Sequence, residues 1–228
     1  MDLGKSSSDE AALKKLRVDG ALPSQETMEQ EEGGIKPAPA LRRMVVVEDF
    51  VCCGFLPPPS KFLLVILNFY GLSLHLNPNS IAFLNIFFHL REAYIGVVSF
   101  LDLFRYYYKL RWMESNRISG CCGFHLRDGM KAKYILFQCP SRSGWRSKWF
   151  YLELEELDPV LIVLENKPDR SKNWTSKHLL TPSLKSFVDI GSDLRVRGLT
   201  GYETSNTLSC IWWAAWAAGG MGLAQLTY

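Results

Sequence analysis

The signatures of catalysis are what this sequence most lacks. No serine stands in a Gly-x-Ser-x-Gly turn, which excludes the hydrolase nucleophile elbow. No glycine-rich loop leads into a helix, and the one short candidate, SRSGWRSKW, lacks the glycines and the helix that a phosphate cradle requires. Histidine is scarce, with four in the chain, and the aspartates at 158, 169, 189 and 193 have no partner histidine near them in sequence. Six cysteines occur as Cys52-Cys53, Cys121-Cys122, Cys139 and Cys210, with no Cys-x-x-Cys pair. A zinc site built from Cys52, Cys53, Cys121, Cys122 and His125 is therefore the lesser reading, and small buried hydrophobes the simpler one. Residues 1–43 contain no apolar run, so no signal peptide is read there. Vicinal thiols without such a leader predict a reduced, intracellular setting, nuclear or cytoplasmic.

What is present is uneven. The net charge is only +3, yet residues 105–148 hold ten basic and two acidic side chains, so the rest of the chain is net acidic. Residues 1–43 are too polar to bury a core and predict a disordered arm, with at most a short helix at 11–18. Its Lys14, Lys15 and Arg17 are a weak import-type cluster. From Met44, MVVVEDFVCCGFLPPP predicts a strand or apolar segment stopped by Pro57-Pro58-Pro59.

A helical block follows. SKFLLVILNFY predicts a helix capped by Ser60 and ended by Gly71. In HLNPNSIAFLNIFFHLREAY, Asn77 suits an N-cap and Pro78 the first helical position, where its missing N–H costs nothing. Asn85, His89 and Glu92 fall on one stripe of that helix, which predicts the wetted edge of a mostly buried element. A third helix is expected from Ser99, with Asp102 completing a capping box and Arg105 and Lys109 exposed. The period then changes. Asp128-Gly129 between two apolar runs predicts a hairpin, SKWFYLELEELDPVLIVLEN one or two strands with a turn at Asp158-Pro159, and residues 165–200 look irregular.

The resulting expectation is an α+β domain over residues 44–165, about three helices followed by a small antiparallel sheet. A disordered arm (1–43) precedes it. An irregular extension (166–203) and an uncharged Trp/Ala/Gly-rich tail (204–228) follow. The tail contains LSCIWWAAWAAGGMGLAQL, whose glycines, serine and glutamine weaken it as a bilayer span, so a membrane anchor is a minor reading beside a non-native chain end. The basic block is the most suggestive physical feature. Arg105, Lys109, Arg111, Arg117, Arg127, Lys131, Lys133, Arg142, Arg146 and Lys148 interleave with Tyr106, Tyr108, Tyr134, Trp145 and Trp149. Cations to neutralise phosphates beside aromatic faces to stack on bases would suit single-stranded nucleic acid.

The ordered motifs LNFYGLSLHLNPNSIAFLNIFFHLREAYIGV, FRYYYKL, GCCGFHLR and PSRSGWRSKWFYLEL resemble the gypsy-type transposon domain of plants over residues 60–155, with a fainter echo at Trp174 and at residues 194–201. The matching positions are Tyr70, Gly71, Leu72, His75, Asn77, Pro78, Asn79, Ser80, Glu92, Gly96, Trp145, Trp149, Phe150 and Tyr151. The resemblance implies structural roles for these residues, as caps, turns and core aromatics, and small-residue positions at Cys121 and Cys122. It implies a retrotransposon-derived protein without an enzyme of its own: the chain shows no reverse-transcriptase, protease or integrase signature and no zinc knuckle. A Gag-like role, through a protein partner or self-association, is the leading expectation, and nucleic-acid binding the alternative. No cofactor, metal or small-molecule substrate is implied.

Overall fold

The computed structural model describes residues 3–18, 22, 28–29, 43–55, 59–73, 75–114, 116–135, 137–138, 142–153 and 167–201. In chain order these form α1 (Glu10–Val18), β1 (Met28–Glu29), β2 (Arg43–Val47), α2 (Glu48–Cys52), α3 (Lys61–Tyr70), α4 (Pro78–His89), α5 (Leu101–Tyr107), β3 (Tyr108–Trp112), β4 (Cys122–Leu126), β5 (Trp149–Glu153) and α6 (Pro182–Val196). The class is α+β, as the alternation of periods predicts.

The helical block follows its caps. Ser60 Oγ accepts from the Leu63 N–H at 3.2 Å, and Gly71 ends α3 in the left-handed region at φ 64°, a conformation costly for any residue with a Cβ. Asn77 caps α4 with Pro78 in the first turn. Beyond His89 the helix widens into one π turn, Leu90–Tyr94, and the chain leaves it through Gly96 at φ 72°.

Two antiparallel sheets complete the domain. The first has the order β1-β5-β2, with Val45 opposite Tyr151 and Met28 opposite Leu152. The second is the pair β3-β4, with Leu110 opposite Phe124. Between α3, α4, α5 and β4 lies an aromatic core. Phe104 stacks on Tyr108 with ring centroids 4.8 Å apart and meets Phe124 edge-on at 4.9 Å and Phe87 at 5.2 Å. Such offset and edge-on contacts suit the ring quadrupole and add to the burial of apolar surface.

Several expectations change. Within the arm expected to be disordered, the short helix forms as α1, and Leu3 and Leu13 are buried. Ser7 N–H donates to the Ser147 carbonyl at 2.6 Å and Trp149 Nε1–H to the Gly4 carbonyl at 3.0 Å, so serines that look merely solvating dock beside β5. The third helix is not capped by Ser99. It starts at Leu101, so Phe100, which has no side-chain oxygen, stands at the N-cap; Glu92 Oε1 rather than Asp102 accepts from the Ser99 N–H, at 3.2 Å, and the helix ends at Tyr107, leaving Lys109 on a strand.

Asp128-Gly129 does form a turn, but β4 pairs backwards with β3. The run after the turn does not pair with it: Lys131, Ala132 and Lys133 are exposed in succession, which breaks the alternation a strand needs. The extension 166–203 carries α6, whose Thr181 Oγ1 accepts from Leu184 N–H with Pro182 in the first turn. Only Leu184, Val188 and Gly191 of α6 are buried, so its apolar face is too narrow to stand out in the sequence. Residues 154–166, including the Asp158-Pro159 turn, lie outside the described residues, as does the 204–228 tail.

Candidate functional site

The motif residues converge on one seam, where the start of α4 meets the edge of β4. Asn77 Oδ1 accepts from the Ser80 N–H at 2.9 Å and from the Ser80 hydroxyl at 2.7 Å, and Ser80 Oγ in turn accepts from the Phe124 N–H at 2.9 Å. Asn77 N–H donates to the Cys122 carbonyl, Cys122 N–H to the His75 carbonyl, and Leu76 forms a parallel bridge with Cys122. His75 is buried, and its Nδ1 accepts from the Ser73 N–H at 3.0 Å. Its tautomer is thereby set with the proton on Nε2. Asn79 is half-buried on the first turn of α4. This seam is the physical content of the LNPNSI motif: an Asn77 cap whose partner hydroxyl, on Ser80, also satisfies an amide of the sheet.

The remaining motif positions serve the same end. The Tyr70 carbonyl accepts from Trp174 Nε1–H at 3.1 Å. Among the described residues the buried Tyr70 hydroxyl has no hydrogen-bond partner, and burial pushes its pKa up to about 12 against the pull of Arg127 and Arg105. Burial also raises the Glu92 carboxyl, countered by the Ser99 N–H and Arg91. Trp145 stacks on Phe50 with centroids 5.7 Å apart and lies against Gly120, where a Cβ would fall 2.3 Å from the indole. Trp149, Phe150 and Tyr151 are buried on β5.

Asn85, His89 and Glu92 do not form a wetted edge. Asn85 Nδ2 donates to the Cys53 carbonyl at 2.8 Å, tying α4 to the end of α2. His89 is 2% exposed, edge-on to Tyr94 at 5.6 Å, and burial lowers its pKa. The three side chains each meet a different neighbour and share no cavity contact. A cleft does lie between α3, α4 and the segment after α2, lined by Phe55, Phe62, Leu63, Ile81, Leu84 and Phe88 among others, Asn85 included.

The basic block is dispersed by the fold. Arg127 is 8% exposed and spends its guanidinium on the carbonyls of Arg105, Thr175 and Ser176 at 2.9, 2.8 and 2.6 Å. Arg105 lies over the Phe69 ring and near Asp102. Lys109 pairs with Asp128, Arg142 with Asp49, and Arg146 with Glu114 and the Ser119 carbonyl. Arg111, Arg117, Lys131, Lys133 and Lys148 are exposed. Tyr106, Tyr108, Tyr134, Trp145 and Trp149 are all buried. The interleaving of cations and aromatics seen in sequence is the alternation of surface and core.

Among the described residues no three His, Cys, Asp or Glu side chains come together as a metal-holding group. Cys121 and Cys122 are buried with their sulfurs 3.4 Å apart, and the hydrogen bond from Cys121 together with burial raises the Cys122 thiol. Cys53 is buried and Cys52 exposed. His125 lies half-buried on β4, its Nε2 3.1 Å from Met113 sulfur. Among the described residues no helix is long and apolar enough to cross a membrane.

Two residues carry more than the sequence reading gave them: Trp174, noted there only as a faint family echo, and Arg91, not noted at all. Trp174 sits fully buried in a stretch that looks irregular, its ring 5.2 Å from Trp112. Arg91 is 1% exposed in the π turn, where the Arg91-Glu92 pair reads as ordinary surface charge. A lone tryptophan in a polar segment was the available signal for the first; nothing local marks the second.

No curated protein matches the chain, and no solved structure matches it. Residues 45–112, from within β2 to the end of β3 and including the whole α4 seam up to its sheet partner, match the family described as "Putative gypsy type transposon", so this segment is similar to gypsy-type transposon proteins.

Proposed function

We propose that the chain is a non-enzymatic, retrotransposon-derived protein that works by protein–protein contact, associating with copies of itself in a Gag-like manner. The observation that carries this reading is the gypsy-type match over residues 45–112, within which the motif polar groups are engaged by backbone and do not converge on a reactive centre. Two further features support self-association. The cleft between α3, α4 and the segment after α2 is lined without any charged side chain, and Leu179, Leu180 and Ile190 expose apolar surface on and before α6. An apolar cleft on one copy and an apolar ridge elsewhere on the next make a heterologous contact, the kind that extends into open assemblies.

Sedimentation over a range of concentrations tests it. Reversible association that weakens in Leu179→Asp and Ile190→Asp, both at exposed positions, is expected; a monomer at every concentration overturns it. The same protein passed over single-stranded RNA at low and high salt examines the alternative. The exposed Arg111, Lys131, Lys133 and Lys148 support at most contacts to phosphates, since the aromatics needed to stack on bases are in the core. Salt-sensitive retention lost on changing these four to Ala would favour that mode.

A further inference from the structure

Two deeply buried arginines are treated very differently by this fold. Arg127 gives its donors to three carbonyl oxygens. Arg91, at 1% exposure, gives Nε, Nη1 and Nη2 to no acceptor among the described residues. Its guanidinium lies instead over two aromatic rings, 4.4 Å from the centre of Phe187 on α6 and 5.2 Å from that of Phe100. Ser99, adjacent to Phe100 in the chain, is also buried, and its hydroxyl has no hydrogen-bond partner among the described residues. Stacking on rings stabilises the cation electrostatically but satisfies none of its in-plane N–H groups, and burying those groups unmet is unfavourable. Apolar surroundings alone would be served better by methionine or leucine.

The face of a guanidinium can be stacked while its edge still presents a fork of donors, and that fork matches the two oxygens of a carboxylate or phosphate. Among the described residues the phenols of Tyr107 and Tyr134 and the carboxylate of Glu92 act on Arg91, and Glu92 Oε1 is already bonded to the Ser99 N–H. The roof over the site is light. α6 buries only Leu184, Val188 and Gly191, and its far end is held by exposed bonds from Ser192 Oγ to the Lys133 carbonyl and from Arg195 Nη1 to the Ala132 carbonyl, both 3.2 Å.

We propose that Arg91 anchors a binding site for a small oxyanion, the carboxylate or phosphate group of a low-molecular-weight ligand, reached when α6 lifts Phe187 from the guanidinium. Phe100 keeps its hold on the cation's plane, the guanidinium edge takes two oxygens of the ligand, and the buried Ser99 hydroxyl contributes a further donor. This site is independent of the self-association reading and stands or falls without it.

The test uses the full chain at constant pH and ionic strength, with sodium phosphate in one arm, sodium acetate in the second and sodium chloride as reference, read by thermal unfolding and by isothermal titration. A saturable rise in unfolding temperature with phosphate, acetate or both is expected, and which arm responds identifies the group. Affinity should fall by about tenfold or more in Arg91→Met, which loses charge-assisted hydrogen bonds but keeps the stem. Replacing an unpaired buried ion with an apolar side chain of similar length is usually neutral or stabilising, so this variant should fold. Should it not, Arg91→Lys retains the charge without the fork and should lose affinity in the same way. In Phe187→Ala the anion should bind faster, because the roof is thinned. No saturable response to either anion in the unmodified protein, or an equal response in the Arg91 variants, overturns the proposal.

Discussion

The hydroxyl of Ser80, in the first turn of α4, accepts a hydrogen bond from the Phe124 N–H at 2.9 Å, across a separation of 44 residues. One small side chain thus joins a helix cap to a sheet amide. In Ser80→Ala the Phe124 N–H is left buried and unmet, and Asn77 loses one of its two donors. A loss of about 1–3 kcal/mol in urea unfolding is expected, with the helix content of the native state unchanged by circular dichroism.

Trp174 pins the segment after residue 166 to the domain by its Nε1–H bond to Tyr70 and its packing on Trp112. Trp174→Ala should cost about 3–5 kcal/mol. Trp174→Phe, which keeps most of the ring, should cost about 1 kcal/mol for the hydrogen bond. Limited proteolysis should cut between Thr175 and Thr181 much faster in the alanine variant; equal cutting rates would show that the anchor lies elsewhere.

Tyr70 makes stability depend on alkaline pH. Its folded pKa, about 12, exceeds the ordinary value of 10.0, so the neutral phenol is favoured by the fold. Its contribution is complete below pH 10 and is lost as pH rises through 12, amounting to ~2–3 kcal/mol over that interval. Because the hydroxyl has no partner among the described residues, Tyr70→Phe should be close to neutral at pH 7 and should flatten the alkaline decline in unfolding midpoint.

His89 acts at the acid side. Burial depresses its pKa below 6.5, so the unfolded chain binds a proton that the folded chain resists. The associated stability is present above pH 6.5 and falls away on acidification through the folded pKa. Replacing His89 with Gln removes the titration, and the unfolding midpoint between pH 7 and pH 5 should then vary less than in the parent. His125, also depressed by burial with Arg111 and Lys109, leaves a residual dependence.

The family match ends at Trp112, yet both strands it contains find their partners beyond it. β2 pairs with Trp149–Glu153, and β3 pairs with Cys122–Leu126. A peptide of residues 45–112 therefore leaves two strand edges and the Ser80 seam open, and it should show no cooperative unfolding transition. A protein of residues 3–201 should. Independent folding of the shorter piece, seen as dispersed amide resonances, would contradict this division.

Much of the helical half was legible because caps are local. Ser60, Gly71, Asn77 and Pro78 act within a few residues of themselves, and the structure uses each as the sequence suggests. Strand partners are not local. Asp128-Gly129 announces a turn but not which run pairs with β4, and the choice of β3 depends on tertiary packing around Phe104 and Phe124. α6 was hidden because three buried positions in fifteen residues leave little periodicity to read. The basic block misled for a related reason: composition lists charges, whereas the fold decides which of them meet carbonyls, as Arg127 does, and which meet water, as Lys131 does.

The order β1-β5-β2 has a consequence for synthesis. When the ribosome has released Val45 and the helices after it, the central strand of that sheet has yet to be translated, and the apolar run from Met44 to Val47 waits with nothing to pair against. Until Trp149–Glu153 emerges and closes the sheet, a nascent chain of this protein offers other nascent chains a sticky edge, and its yield in the cell will depend on how well chaperones cover that interval.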